Sequence, residues 1–158
     1  MKKAKSLLAL VLALLIALGG TVCAFAADEL VESEDNGTIA TADAFGVGAS
    51  IKGKVEEAGD EDFFSFTSTQ TGLVTITLKH DAKTGADPVA TYFKVPIFDE
   101  DGSDIDSFTS TGAQESVAID FSVTPGAYFV KVEGGSVLDT TLEYTLSTKI
   151  NTNALFEN

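Results

Sequence analysis

From position 50 onward the chain repeats one pattern: short runs with apolar residues on every second position, closed by glycine, proline and acidic turns. Residues 72–79 show it best, with Val74, Ile76 and Leu78 alternating against Thr75 and Thr77. A strand throws successive side chains to opposite faces, so this period of two marks a half-buried strand and does not suit a helix. Similar segments fall at 51–56, 62–67, 90–98, 105–109, 115–123, 127–133 and 142–148. Seven or eight strands, frequent turn signals and no credible helix predict an all-β fold, an antiparallel β-sandwich of jelly-roll type. Pro96 lies inside the run 90–98 and predicts an edge or bulge position there, because proline cannot donate to a ladder.

The most distinctive segment is Gly59-Asp60-Glu61-Asp62-Phe63-Phe64-Ser65-Phe66. Alternation sends Phe64 and Phe66 to one face and leaves Asp60 and Asp62 at the mouth of the strand. Upstream lies Glu32-Ser33-Glu34-Asp35-Asn36-Gly37, with oxygen-bearing side chains at 32, 34 and 36 that share a face if the segment is extended. Calcium takes about six to eight oxygen ligands from carboxylates, amides and carbonyls. Glu32, Glu34, Asn36, Asp60 and Asp62 would approach that number, with backbone carbonyls or water completing it. The same residues also read as a solvated acidic lead-in and turn.

The first residues are expected to be address rather than fold. Lys2, Lys3 and Lys5 precede an apolar run from Leu7 to Leu18, and Ala24-Phe25-Ala26 supplies a small-x-small cleavage site. This is the pattern of a secretory signal peptide, too short for a membrane anchor, and it predicts a secreted chain with no membrane insertion after cleavage. The expected organisation is a signal peptide at 1–26, an acidic extended lead-in at 27–49, the sandwich at 50–149 and a flexible tail at 150–158. Cys23, the one cysteine, falls in the signal, so the remaining domain of about 130 residues folds without a disulfide. Of 10 basic residues three lie in the leader, which leaves seven lysines against 24 acids, a net charge of about −17. There is no arginine, the side chain best suited to phosphate, so nucleic acid is excluded as a partner and divalent cations are the natural counterpart.

Four landmarks occur in order: Glu-x-Glu-x-Asn at 32–36, Gly-Asp-x-Asp-x-Phe-x-Phe at 59–66, Ile97-Phe98-Asp99 with Gly102 after it, and Pro125-Gly126-Ala127-Tyr128-Phe129-Val130-Lys131-Val132 followed by Tyr144-Thr145-Leu146. Together they resemble the bacterial pre-peptidase C-terminal domain family, over residues 30–148. The resemblance implies a β-sandwich module of the kind appended to secreted proteases and other exported enzymes. The related collagen-binding domains of clostridial collagenases bind calcium through the acidic lead-in and the aspartate-rich start of the strand, which again points to Glu32, Glu34, Asn36, Asp60 and Asp62. Two positions depart from those relatives: Gly37 where they often carry another acid, and Phe63 where they often carry tyrosine.

Catalytic readings find little to stand on. His80 is the only histidine and reads as a surface loop residue; no nucleophile-elbow motif surrounds any serine. One histidine and no cysteine outside the leader exclude an ordinary zinc site. Asp99-Glu100-Asp101-Gly102-Ser103-Asp104 reads as a hairpin turn, with a weak second cation site as the alternative. The expected function is a non-enzymatic, calcium-stabilised, monomeric module that binds an extracellular protein or polysaccharide surface or assists an exported enzyme. The alternatives are a secreted hydrolase with an unrecognised site and a structural component of the cell envelope.

Overall fold

The computed structural model describes residues 30–85 and 87–151. The signal peptide, Cys23 and residues 152–158 of the expected tail lie outside the described residues. The chain forms β1 (Leu30–Val31), a 3-10 turn (Ile39–Thr41), β2 (Asp43–Ala44), β3 (Ser50–Lys54), β4 (Glu61–Ser68), β5 (Gly72–His80), β6 (Thr91–Phe98), β7 (Asp104–Thr111), β8 (Ser116–Val123), β9 (Gly126–Gly134) and β10 (Glu143–Asn151). The eight longer strands answer one for one to the eight alternating segments. They pack as two five-stranded sheets, β1-β3-β10-β5-β8 and β2-β4-β9-β6-β7. The sandwich is therefore as expected, with ten strands instead of seven or eight. The two extra strands come from the lead-in and pair parallel, β1 with β3 and β2 with β4.

Successive strands mostly alternate between the sheets, so almost every connection crosses the sandwich. The inner faces meet through Phe64, Val74, Ile76, Leu78, Val95, Ile97, Val130, Val132 and Leu146, all at 0% exposure. Phe64 and Phe66 point inward as the alternation requires, and Phe45 of the lead-in meets both edge-on, at 6.1 and 6.2 Å. Phe63 points outward yet is covered, with Phe98 at 6.1 Å and the Lys131 ammonium 5.8 Å from its ring centre.

Three expectations need correction. β6 lies inside its sheet, between β9 and β7, so of the edge or bulge position expected for Pro96 the edge is ruled out, while the β6–β7 register shifts just beyond it, between Ile97 and Phe98. The proline is accommodated because the β6–β9 ladder pairs Lys94 with Glu133 and Ile97 with Val130 and skips the two residues between. His80 is no surface loop residue: it ends β5 pointing inward at 7% exposure, against the Phe93 ring at 5.3 Å. Residues 150 and 151 are not loose, since Ile150 and Asn151 extend β10 beside Val74 and Leu73. The 99–104 segment is the expected hairpin turn. Asp99 Oδ1 accepts from the backbone of Asp101 and Ser103, at 3.0 and 2.9 Å, and so holds the turn itself.

Candidate functional site

The acidic lead-in meets the mouth of β4 at one end of the sandwich. β1 lies along β3, and Glu32 continues that pairing by donating its N–H to the Lys52 carbonyl at 2.9 Å. Its side chain then turns inward over Gly53. Glu32 Oε1 accepts from the Lys54 N–H at 2.6 Å, and Oε2 accepts from the Tyr144 hydroxyl at 2.9 Å. Gly53 makes this possible, because a Cβ there would collide with both Tyr144 Oη and Glu32 Oε2.

Asp62 arrives from the other sheet. It shares the inward parity of Phe64 and Phe66, is 3% exposed, and accepts from the same Tyr144 hydroxyl at 2.6 Å. Tyr144 thus crosses the core from β10, its ring held edge-on by Phe64 and Phe93 at 6.2 and 5.5 Å. A phenol carries one proton and can donate it to one acceptor at a time. Two carboxylates from two sheets share that single proton, so with both ionised one Tyr144 contact has no hydrogen in it.

The electrostatics follow from this crowding. Burial, reinforced by the negative charges of Glu32, Asp60 and Glu34, pushes the Asp62 carboxyl up to about 8. Burial also raises Glu32, with Glu34 and Asp60 adding to the rise. Glu34 is raised by desolvation and by Glu56 and Asp60. Burial and the two carboxylates push the Tyr144 phenol well above its ordinary range. Without a cation, the proton count closes when Asp62 keeps its proton and donates to Tyr144, which donates to Glu32.

The five sequence candidates divide into three groups. Glu32 and Asp62 are brought together on one hydroxyl. Asp60 and Glu34 lie at the rim, close enough to raise both. Asp60 Oδ2 accepts from the Glu56 N–H at 2.7 Å across a turn whose Gly59 sits at φ 91°, where a side chain would be strained. Asn36 stands apart. The chain turns at Glu34 and Asp35 and does not run extended, so positions 32, 34 and 36 do not share a face. Asn36 is buried, gives its carbonyl to the Phe63 N–H at 3.1 Å, and aims its amide at Asp43 Oδ2, 3.4 Å away.

Among the described residues no three acid, histidine or cysteine side chains converge as a finished metal cage. The donor set nonetheless suits a hard cation. It is all oxygen, two of its carboxylates meet on one phenolic hydroxyl, and an open hollow of about 300 Å³ borders Glu32, with Glu34, Glu56 and Glu143 but also Lys52 and Lys54 in its lining. Tyr144 is the residue the sequence did not single out. Its signal was there: a tyrosine among inward apolar positions needs a partner for its hydroxyl.

The one histidine builds no catalytic site. His80 Nε2 meets Ser110 Oγ at 2.7 Å, and Nδ1 lies 2.9 Å from the Asp81 carbonyl. That carbonyl only accepts, so Nδ1 carries a hydrogen, and in the neutral ring Nε2 accepts from Ser110. Ser110 is 0% exposed and cannot reach a substrate, so the pair ties β5 to β7.

No family model matches the sequence, and no curated protein matches it. Solved structures do. The chain is similar to the pre-peptidase C-terminal domain of collagenase from Bacillus anthracis, at TM-score 0.52 and 19% identity over 68% of this chain and 94% of that one. A protein from Sulfurospirillum deleyianum (TM-score 0.43, 11% identity, 65% and 96% covered) and a family 35 carbohydrate binding module from an environmental isolate (TM-score 0.41, 14%, 62% and 69%) follow at lower similarity. The chain has the fold of the pre-peptidase C-terminal domain.

Proposed function

We propose that this protein is a secreted, non-catalytic binding module in which calcium fastens the lead-in to the sandwich. One observation carries the reading: Glu32 from the lead-in and Asp62 from the opposite sheet converge on the single proton of Tyr144. Glu32 and Asp62 would hold the ion, with Glu34 and Asp60 at its rim, and Asn36 serves by anchoring the lead-in beside β4. The ion would supply the positive charge that the two carboxylates lack, in place of a proton. Fixing residues 30–36 in this way sets where the chain preceding the sandwich leaves it, a useful property in a module that attaches to an extracellular protein or polysaccharide or serves an exported enzyme.

The test is thermal unfolding with calcium and with a chelator. An ion that binds only the folded state stabilises it by about 2.7 kcal/mol at a hundredfold excess over its Kd. The parent should show a clear upward shift of midpoint with millimolar calcium, and Asp62→Asn should lose that shift while keeping a cooperative transition. A parent indifferent to calcium would sink the proposal.

A further inference from the structure

The two sheets end on four edge strands, β1 and β8 in the first, β2 and β7 in the second. An exposed edge is a template for another chain, and proteins commonly blunt it with short strands, bulges or charges. β1 and β2 are two residues long, too short to seat a further strand. β7 is irregular: its ladder with β6 shifts twice, and Asp106 Oδ1 takes the Ser107 N–H at 2.8 Å. β8 is different. Its eight residues pair one for one with β5, from Ser116 with Lys79 to Val123 with Gly72, without a shift. It contains no proline and a single charge, Asp120. Just before the strand, the His80 N–H donates to the Glu115 carbonyl at 3.1 Å. Antiparallel pairs alternate between bonded and unbonded, so Val117, Ile119, Phe121 and Val123 direct their main-chain groups to β5. The N–H and C=O of Ser116, Ala118, Asp120 and Ser122 point the other way, and among the described residues no strand lies on that side.

We infer that β8 takes an extended, lysine-bearing segment of a partner protein as an added antiparallel strand. The inference rests on the binding-module reading and names its docking surface and partner class. A regular edge offers main-chain bonds to any extended chain, and side chains choose among them. Here charge makes the choice. Asp120 stands on the outward face of β8, and the Thr75 hydroxyl at 2.6 Å fills only one of its acceptor sites. β7, the edge of the facing sheet, carries Asp104 and Asp106, both exposed. Asp99, Glu100 and Asp101 line a hollow of about 330 Å³ together with Ser122 and Thr124 at the end of β8. On the strands next to these edges the lysines are Lys79, opposite Ser116, and Lys94, opposite Thr109 and 3.7 Å from Glu133. Such an acidic side, in a chain of net charge about −17 beyond the leader, repels a second copy and attracts a cationic strand. Inward, Val117 and Ile119 of β8 and Phe108 of β7 are only half-buried, with Ile119 and Phe108 at the margin of the core. The added strand therefore alternates, with lysines outward beside Asp120 and small apolar residues inward, continuing the face of Val117 and Ile119.

The probe is a labelled peptide, acetyl-Lys-Val-Lys-Val-Lys-Val-Lys-amide, and anisotropy reads its binding to the whole chain in chelator at about 0.15 M salt. Paired antiparallel with its lysines outward, the peptide meets β8 through the lysine N–H groups. Methylating the backbone nitrogens of its valines leaves that edge intact and blocks self-assembly of the peptide. Methylating those of its lysines removes the edge at equal charge. The valine-methylated peptide should bind the parent, and the lysine-methylated peptide and a glutamate analogue should bind at least tenfold more weakly. Ala118→Pro, at an exposed position whose N–H lies outside the ladder, should also weaken binding at least tenfold while keeping a cooperative unfolding transition. Ala118→Lys keeps the main chain, sets a like charge beside the added strand, and should weaken binding severalfold. Equal binding of the two methylated peptides, or of Ala118→Pro and the parent, would show attraction by charge without strand pairing and overturn the inference. Equal binding of the glutamate analogue, or no binding at about 1 mM peptide, overturns it too. Self-association of the parent that Ala118→Pro abolishes assigns the edge to a second copy and refutes the cationic partner. The calcium response in thermal unfolding tests the module reading separately from all of these.

Discussion

Replacing Tyr144 with phenylalanine removes one oxygen from the centre of the molecule and leaves the ring contacts to Phe64 and Phe93 intact. The loss is electrostatic, not steric. Tyr144 is 1% exposed and its hydroxyl lies 2.6 Å from Asp62 and 2.9 Å from Glu32, so no water replaces it without rearrangement. A hydrogen bond to a charged group contributes about 1.5–3 kcal/mol, and stranding a buried carboxylate costs in the same range. Without calcium the phenolic proton goes to the Glu32 carboxylate and the hydroxyl accepts from protonated Asp62, so one of the two lost bonds is to a charged group, and the expected loss is about 2 kcal/mol. For a domain of this size that lowers Tm by roughly 5–12 °C. Calorimetry in chelator checks it, because calcium would compensate for the missing proton. A double-mutant cycle with Asp62→Asn should give a coupling of about 1 kcal/mol or more, since the two residues touch. A Tm within 2 °C of the parent, with additive effects in the cycle, would refute the view that this hydroxyl links lead-in and sandwich.

Two further outcomes test other parts of the reading. Gly53→Ala would be stabilising by about 0.5–1 kcal/mol in an open strand, but here the new Cβ meets Tyr144 and Glu32, so urea unfolding should show a loss of about 1–3 kcal/mol. A gain in stability would mean that Glu32 does not turn in over β3. Asp139 is lowered to about 2 by Lys83 and then by Thr141, from an unfolded value of about 3.9. Its contribution is therefore present above pH 4 and lost as pH falls through 2. Asp139→Asn should cost about 0.5–1 kcal/mol near neutrality, and the gap should close between pH 4 and pH 2; a gap that ignores pH would show that the ion pair does not contribute.

The alternating strands were legible because burial of one face imposes period two locally, within each run of residues. Val74, Ile76 and Leu78 declare their side of the sheet without reference to any other strand, and so do Phe64 and Phe66. By the same parity Asp62 was legible as a residue facing inward at the mouth of β4. What it meets there was not. Tyr144 bonds to Asp62 and Glu32 across 82 and 112 residues of chain, and no local pattern carries a contact of that span. The two-residue parallel strands of the lead-in escape periodicity for a related reason: two residues have no period, and only the neighbouring strand holds them in line. His80 was misjudged because a polar residue at a strand end is usually wet, and Ser110, the partner that makes its burial tolerable, lies on a strand of the other sheet. The alternation at 115–123 announced β8, but its place on an open edge depends on which strands the fold sets beside it. Local chemistry decided which side each residue faces; the order of strands decided the company it keeps.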